Sequence, residues 1–320
     1  MTNAPEKAPD VEEGIEYWNN QPANYDGVLG GFGTGSLPRI ESLGSRLFLL
    51  GLYPELSTVP SAYKPLREPE HFLRVRALDV GAGVGRVTSD TLLPLVSDVV
   101  LLEPVEIFVQ EAATRARASA AGSTSTGAEE RSHWPGLQGG SKSVTVLQGT
   151  LQEFDPLNPH RTHFIDRIGY QPARPADDIG LGYDIIWCQW CLGHLSDEDL
   201  VAFFVRCQAA LKPQRRSLIV VKENLCSDLP DSKPLTIFDD QDSSLTRSDL
   251  AWKVLFKQAG LKIVREKVQE GLPEGLYTVK MYVLGLSLTN GKFTDWFMTG
   301  MRCDDYICLF ENPRKQMEMQ

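Results

Sequence analysis

The sequence LDVGAGVGR, residues 78–86, contains a glycine at every second position from 81 to 85. It follows an apolar run at residues 75–80, and a helical pattern continues from it to about residue 93. A glycine loop that joins a strand to a helix is the usual context of a nucleotide site. The dinucleotide fingerprint needs glycine at position 86, where this chain has Arg86. The loop therefore predicts a nucleoside ligand without a diphosphate.

The residues around the loop indicate which nucleoside it binds. Asp79 precedes Gly81 and Gly83, and we expect it to face an ammonium group or to support the loop. Arg86 is suited to a carboxylate. Glu103 ends the next apolar run, 22 positions after Gly81, where an acidic residue binds both ribose hydroxyls. A glycine loop alone would be an ordinary tight turn, but these features together predict a site for S-adenosylmethionine (SAM).

The segments beyond the loop alternate between strand and helix. Apolar runs at 75–80, 98–104, 143–149, 183–190 and 217–224 predict strands, separated by helical patterns. Ser196 is predicted to cap one helix, and Gly260 to end another. Such alternation favours a parallel sheet that is covered on both faces.

Two last runs, at 262–269 and 278–286, have no helix between them and predict an antiparallel hairpin at one edge. The sequence thus predicts the seven-stranded, mostly parallel, Rossmann-like α/β sheet of class I SAM methyltransferases. Leu151 and Gln152 follow the third strand, where we expect contacts to the adenine ring. For Gln152 alone, a polar strand end is an equally good interpretation.

Four segments lie outside this rhythm. Residues 1–72 are interpreted as a helical and glycine-rich cap over substrate and cofactor. The methyltransferase domain itself is interpreted as residues 73–287, and two of the four segments are insertions within it. Residues 121–142 have low complexity, which predicts a disordered insertion. Residues 157–182 are interpreted as a second surface insertion, and residues 288–320 as a tail without an assigned role.

The composition limits the classes of partner. A formal net charge of −10 and a pI near 5.1 disfavour general binding to nucleic acid, and no apolar run approaches the length of a membrane span. The polar N-terminus lacks the pattern of a secretory signal, so we expect reduced cysteines and a cytoplasmic or nuclear protein. Cys188 and Cys191 are spaced like one of the two ligand pairs of a zinc site, but no second Cys/His pair has matching spacing. Core packing is therefore the favoured interpretation, and no metal site is predicted.

Eight segments resemble, in order, the protein α-N-terminal methyltransferases. They read EYW (16–18), DGVLGG (26–31), ALDVGAGVGR (77–86), LQEF (151–154), YDIIWCQWCLGHLSD (183–197), VVKEN (220–224), FDDQDSS (238–244) and LPEGLY (272–277). That family uses SAM to methylate the free amino terminus of proteins beginning X-Pro-Lys or X-Pro-Arg. The resemblance implies this activity, with SAM as cofactor and such N-termini as partners. Glu103 stands where many relatives have aspartate, and the tail is unmatched.

The resemblance also implies individual contacts. Those to SAM would be made by Tyr17, Trp18, Gly81, Arg86, Glu103, Leu151, Gln152 and Gln189. Those to the peptide would be made by Leu29, Trp190, His194, Asn224, Asp239, Asp242 and Tyr277.

Methyl transfer to an amine needs a free lone pair on nitrogen. An α-amino group has a pKa of roughly 7.7–8.0, so a modest base is enough. His194 and Asp242 are the candidate bases, and Asn224 can hold the backbone of the first substrate residue. A histidine at a helix entry could instead serve only to bond the backbone. The carboxyl ends of neighbouring strands, however, bring these side chains to one crevice.

The run FDDQDSS concentrates three aspartates within four residues. It lacks the glycine and glutamate of a calcium-binding EF-hand loop. We interpret Asp239 and Asp242 as a socket for Lys or Arg at the third position of the substrate, with Asp242 also facing the amino terminus and Asp240 facing water or capping the turn. A solvated loop is the alternative interpretation. A methyltransferase for another protein site or a small amine, or a SAM-binding regulatory subunit, are the alternative functions.

Overall fold

A computed structural model describes residues 7–57, 74–122, 133–173, 182–213 and 217–286. The tail at 288–320 and the central parts of the two predicted insertions lie outside these residues. The strands are β1 (Arg76–Val80), β2 (Asp98–Glu103), β3 (Ser143–Gln148), β4 (His163–Gly169), β5 (Ile185–Gln189), β6 (Leu218–Cys226), β7 (Thr236–Asp239), β8 (Ser244–Ser248), β9 (Leu261–Val268) and β10 (Thr278–Leu286).

The strands form one sheet with the order β4-β3-β2-β1-β5-β6-β10-β9. Pairs β3–β2, β2–β1, β1–β5 and β5–β6 are parallel, whereas β10 runs antiparallel to β6. β1 and β5 lie in the middle and are buried at every position, which explains their continuous apolar runs. The predicted fold class is confirmed.

The described sheet has ten strands instead of the predicted seven. β4 pairs antiparallel with β3, and it comes from residues 157–182, which were expected to form only a surface insertion. Its burial pattern is mostly exposed or half-buried, so the period-two signal of a strand is weak there. β7 and β8 form a hairpin, and β8 also pairs with β6 at Leu225 and Cys226. The sequence of this hairpin was interpreted by its charges and not as strands.

The helices are α1 (Val11–Asn19), α2 (Tyr25–Val28), α3 (Leu37–Leu52), α4 (Glu106–Ala120), α5 (Asp197–Ala209) and α6 (Asp249–Gln258). The predicted caps are present: Ser196 accepts a hydrogen bond from the Asp199 amide, and Gly260 has a φ of +73° after α6. The helix after the glycine loop is a π-helical turn, Thr88–Leu92. α5 and α6 cover one face of the sheet with aromatic side chains such as Phe204 and Phe256.

Part of the first predicted insertion is ordered. Trp134 is almost completely buried, and its amide donates to the hydroxyl of Ser119 on α4. A Cβ at Gly85 would lie 2.4 Å from the Trp134 ring, so the indole packs directly on the glycine loop. The prediction of disorder is therefore wrong for residues 133–142. A single tryptophan inside a low-complexity segment gave no periodic signal.

The cysteines in the described residues, Cys188, Cys191, Cys207 and Cys226, are buried free thiols. Within the described ranges, no three or more His, Cys, Asp or Glu side chains are grouped to hold a metal ion. The helices described here are all too short or too polar to cross a membrane.

Trp134→Ala should lower the free energy of unfolding by about 3–5 kcal/mol, because it leaves a large cavity against the glycine loop. Urea denaturation measures the change. Leu157→Ala is the control from the second insertion, since Leu157 is 43% exposed, and it should cost under about 1 kcal/mol. Equal stability of Trp134→Ala and the wild type would show that the indole does not support the loop.

Candidate active site

A cleft opens at the carboxyl ends of β1, β2 and β5, the edge where open α/β sheets bind their ligands. Its empty volume, including the open mouth, is about 960 Å³, which is large enough for a nucleoside with an amino-acid arm. Ten of the predicted site residues line it: Trp18, Gly81, Gly83, Arg86, Glu103, Leu151, Gln152, Gln189, Trp190 and His194. The helix α1 forms the wall that faces the sheet edge.

The glycine loop has no room for a side chain at Gly81. Gly81 has a φ of +61°, and a Cβ there would lie 2.3 Å from Cβ of Cys191. Gly83 has a φ of +56° and borders the cleft. Both positions require left-handed backbone, which glycine adopts at little cost. The loop thus offers bare backbone to a ligand.

Glu103 is buried at the end of β2. Its two carboxylate oxygens accept the backbone amides of Gly83, at 2.8 Å, and of Val105, at 2.9 Å. Burial raises the pKa of Glu103 to about 7. Each carboxylate oxygen can accept a second hydrogen bond, so the group remains able to bind ribose hydroxyls from the cleft.

Arg86 borders the cleft and forms a buried ion pair with Glu41 of α3. Glu41 also accepts Lys222 Nζ at 2.8 Å and the Ser45 hydroxyl at 2.7 Å. Burial opposes the charge on Glu41, but Arg86 and Lys222 together hold its pKa well below the usual range. Sequence analysis missed Glu41 and Lys222. Their signal in the sequence is a charge at a position where burial is expected: Glu41 lies on the apolar face of a helix, and Lys222 lies inside an apolar strand.

Besides Nδ1 of His194, two nitrogen atoms of cleft-lining side chains are buried without a hydrogen-bond partner among the described residues. Gln189 accepts the indole N–H of Trp187 at 3.0 Å, which leaves its buried Nε2 without an acceptor. The indole nitrogen of Trp190 is likewise buried and unpaired. A buried donor without an acceptor lowers the stability of the protein, unless a ligand supplies the acceptor. Together with Arg86 they fit the carboxylate end of SAM, and Glu103 fits its ribose.

Two predicted cofactor residues do not line the cleft. Asp79 is buried beneath the loop, where it accepts the Thr88 hydroxyl at 2.5 Å, so it has the loop-supporting role. Burial raises the pKa of Asp79 to about 7. Tyr17 lies on the side of α1 that faces the hairpin formed by β7 and β8. The pKa of Tyr17 is raised by burial and by the carboxylates of Asp242 and Asp239.

His194 lies between the cleft and the acidic hairpin. Its Nε2 accepts the indole N–H of Trp18 at 3.0 Å, which places the ring proton of a neutral His194 on Nδ1. Nδ1 is buried beside the backbone of Ser243, outside hydrogen-bond geometry. Burial lowers the pKa of His194, although the Asp242 carboxylate opposes this effect. The ring is therefore neutral at pH 7.

The segment after β5 is held in a strained conformation. Trp190 has a φ of +55°, which is rare for a bulky residue. Its amide donates to the Lys222 carbonyl, and the next two amides, of Cys191 and Leu192, both donate to Glu223 at 3.0 Å. Glu223 is thus a positioning residue for the segment that carries Trp190 and His194. Sequence analysis missed it as well.

The acidic hairpin, residues 236–248, consists of β7, β8 and the turn between them. Asp239 is exposed and accepts the Gln241 amide, whereas Asp242 is half-buried and accepts the Ser244 hydroxyl at 2.6 Å. Asp240 was expected to face water. It is exposed but forms an ion pair of 2.5 Å with Lys7, whose Nζ also lies 4.9 Å from the centre of the Phe238 ring.

The remaining predicted peptide residues lie outside the lining of the cleft. Leu29 follows α2 and is half-buried. Asn224 is half-buried in β6, opposite Val279 of β10, one residue before β6 meets β8. Tyr277 directly precedes β10 and is 51% exposed. These three positions stay predictions.

Comparisons with known proteins identify the family. A family model described as AdoMet-dependent proline di-methyltransferase, where AdoMet is SAM, matches residues 6–132 and 146–285. The chain belongs to this family. It is a SAM-dependent methyltransferase, as the sequence resemblance predicted.

Individual relatives agree with this assignment. The alpha N-terminal protein methyltransferase 1 of Schizosaccharomyces pombe is 35% identical over 85% of this chain and 94% of the relative. The N-terminal Xaa-Pro-Lys N-methyltransferase 1 of Xenopus tropicalis is 31% identical over 84% of this chain and 92% of the relative. A SAM-dependent methyltransferase structure from Leishmania major has a TM-score of 0.59 and 31% identity, covering 86% of this chain and 82% of that one.

Glu103→Ala should weaken SAM binding by about 1.5–3 kcal/mol, the scale of hydrogen bonds to a charged group. Ribose hydroxyls donate best to the ionised carboxylate, whose pKa in the free protein is raised to about 7. Wild-type SAM affinity should therefore fall up to about tenfold for each pH unit below 7. The same raised pKa makes Glu103 reduce the stability of the ligand-free protein as pH rises through about 7. Calorimetry over pH 5.5–8.5 measures the binding.

Glu103→Gln is the matched control, because it keeps the shape and removes the proton equilibrium. Its SAM affinity should be nearly independent of pH in this range, although Asp79, with a pKa also near 7, is still present. If Glu103→Gln retained the wild-type pH profile, Asp79 and not Glu103 would be the titrating group. Unchanged affinity in Glu103→Ala would remove Glu103 from the ribose site.

Proposed function

We propose that this methyltransferase modifies the free α-amino group of proteins that begin with X-Pro-Lys or X-Pro-Arg. The observation that carries the proposal is the position of the acidic hairpin directly beside His194 at the cleft. A Cβ on Gly14 of α1 would lie 3.3 Å from Nδ1 of His194 and 3.5 Å from the Asp242 carbonyl oxygen. The Asp242 carboxylate also acts electrostatically on His194, so a carboxylate for a substrate cation lies beside a residue that lines the cleft. The names of the relatives support the same substrate class.

The acidic hairpin already binds a lysine of this chain. Lys7 pairs with Asp240 and lies over the Phe238 ring, and its pKa is raised by the hydrogen bond to Asp240. Asp239 ends β7 and Asp242 lies on the turn that follows, and Asp242 is the less exposed of the two. We propose that these two bind the cation of the third substrate residue, as the sequence predicted. A guanidinium can bridge two carboxylates, so Arg should serve as well as Lys.

The acceptor nitrogen must lose a proton before transfer. At pH 7 about a tenth of such amines is neutral, since their pKa is roughly 8. Nε2 of His194 is engaged by Trp18, so we propose Asp242 as the proton acceptor and His194 as a neutral neighbour that fixes its surroundings. SAM, when bound, supplies an electrophilic methyl group on a sulfonium. The protein orients the acceptor nitrogen toward the methyl group, and this orientation accounts for the larger share of the rate enhancement.

Other residues hold the peptide in this proposal. Asn224 carries both a donor and an acceptor and would bind the backbone of the first residue. Trp190, fixed in its strained conformation, provides an aromatic wall at the cleft for the terminal residue and proline. Leu29 and Tyr277 would complete the proline side of the channel.

Mass spectrometry of peptide reactions tests the substrate class. Peptides beginning Ser-Pro-Lys and Ala-Pro-Lys should gain methyl groups at the terminal nitrogen, whereas Ser-Ala-Ala and N-acetyl-Ser-Pro-Lys peptides should not. Acetylation delocalises the lone pair into an amide, so no amine is left. Replacing the third-position Lys by Gln should lower kcat/KM about 10-fold or more, because two carboxylates, one exposed and one half-buried, lose their cation. Methylation of an internal lysine would favour the alternative of another protein site.

Asp242→Asn separates proton transfer from binding. It should lower kcat about 100-fold at pH 7, the range of general base catalysis. The rate should recover as pH rises toward 9, where the amine is neutral without a base. Asp240→Asn is the matched control on the same turn and should keep wild-type kcat. A wild-type kcat and pH profile in Asp242→Asn would show that the hairpin is an ordinary acidic loop without a role in proton transfer.

A further inference from the structure

A buried ion cluster joins three distant parts of the chain. It consists of Glu41 on α3, Arg86 after the glycine loop and Lys222 on β6. Glu41 and Lys222 are 0% exposed, and Arg86 is 4% exposed. Charged side chains at such burial are rare unless they are paired, and each broken pair is costly. The cluster links the N-terminal cap to the edge of the cleft.

The two cations are satisfied to different degrees. Lys222 Nζ donates to Glu41, to the Ser45 hydroxyl at 2.8 Å and to Gln269 at 3.0 Å. In the described part of the chain, the hydrogen-bonding partner of the Arg86 guanidinium is Glu41 alone, through one nitrogen. Its Cζ atom lies over the Trp190 ring, 5.5 Å from the ring centre. A guanidinium has five donors, so most of those on Arg86 remain available where it borders the cleft.

One carboxylate, that of Glu41, is paired with both cations of the cluster. The nearest other carboxylates are Asp79 and Asp90, and burial raises the pKa of both. They are already bonded, Asp79 to Thr88 and Asp90 to Ser89 and Tyr25. A ligand carboxylate would complete the cluster.

We propose that Glu41 is a positioning residue for the cofactor: it holds Arg86 at the cleft wall so that the free donors of the guanidinium meet the carboxylate of SAM. Without Glu41, the carboxyl groups that remain to interact with Arg86 are those of Asp79 and Asp90, and neither lines the cleft. The guanidinium would turn toward them and away from the cleft. Because Glu41 belongs to α3, cofactor binding is coupled to docking of the cap. The inference rests on SAM binding in this cleft and is independent of the peptide specificity proposed above.

Two ligands that differ only by the carboxylate test this role. Calorimetry without peptide compares SAM with decarboxylated SAM, so failure of the peptide proposal does not affect the result. The variant is Glu41→Gln with Lys222→Met, which removes one charge of each sign and keeps the net charge of the cluster. It should bind SAM at least about tenfold more weakly than wild type, the loss expected for a weakened charged hydrogen bond. Its affinity for decarboxylated SAM should stay within about twofold.

Further variants exclude a merely structural effect. Arg86→Lys should show the same carboxylate-selective loss, and adding it to the double variant should give little further loss, because the residues act as one unit. Ser45→Ala removes a neighbour of the other Glu41 oxygen and should leave SAM affinity within about twofold. Glu41→Asp keeps the charge but shortens the side chain, and should give a smaller loss that again spares decarboxylated SAM. This variant decides the matter if the double variant does not fold.

Two results would overturn the proposal. One is wild-type SAM affinity in a folded Glu41 variant. The other is an equal loss for both ligands, which would mean that Glu41 supports the cleft as a whole and does not act through Arg86.

Discussion

A carboxylate with no access to water, that of Glu41, lies between two cations from different parts of the fold. Moving an ion out of water costs several kcal/mol, and the attraction to a partner offsets this only with good geometry and further hydrogen bonds. Here Ser45, Lys222 and Arg86 supply them. Loss of either partner would leave a buried charge uncompensated, so these contacts fix α3 against the sheet.

The same logic applies where β5 and β6 end side by side. Trp190 is held at a φ of +55°, which costs of order 1–3 kcal/mol for a bulky side chain. Glu223 on β6 offsets this strain by accepting two consecutive amides of the segment that follows β5. Strained backbone of this kind persists only where neighbouring strands fix it. The parallel pairing of β5 with β6 therefore determines where Trp190 and His194 point, and the active site depends on the sheet register.

The sequence predicted the features that depend on local pattern. The glycine loop, the buried strands, the cap at Ser196 and the acids of the hairpin all carry short-range signals. It missed β4, whose side chains face solvent too often to show a strand period, and Trp134, a single apolar residue in a polar segment. The partners of buried charges were missed for a different reason. Glu41 and Lys222 are 181 residues apart, and only the folded chain brings them together.

The helix α1 is shared by the two halves of the site, and the charges differ on its two sides. Toward the cleft, Trp18 contacts His194, and the guanidinium of Arg86 borders the cavity. Toward the hairpin, Tyr17 faces Asp239 and Asp242, and the Ser243 hydroxyl accepts the Asp10 amide. An anionic group is thus favoured on one side and a cationic group on the other. In the function proposed above, this separation would draw the carboxylate of the cofactor inward and keep the basic third residue of the peptide at the hairpin, so that the two ligands meet only where the methyl group is transferred.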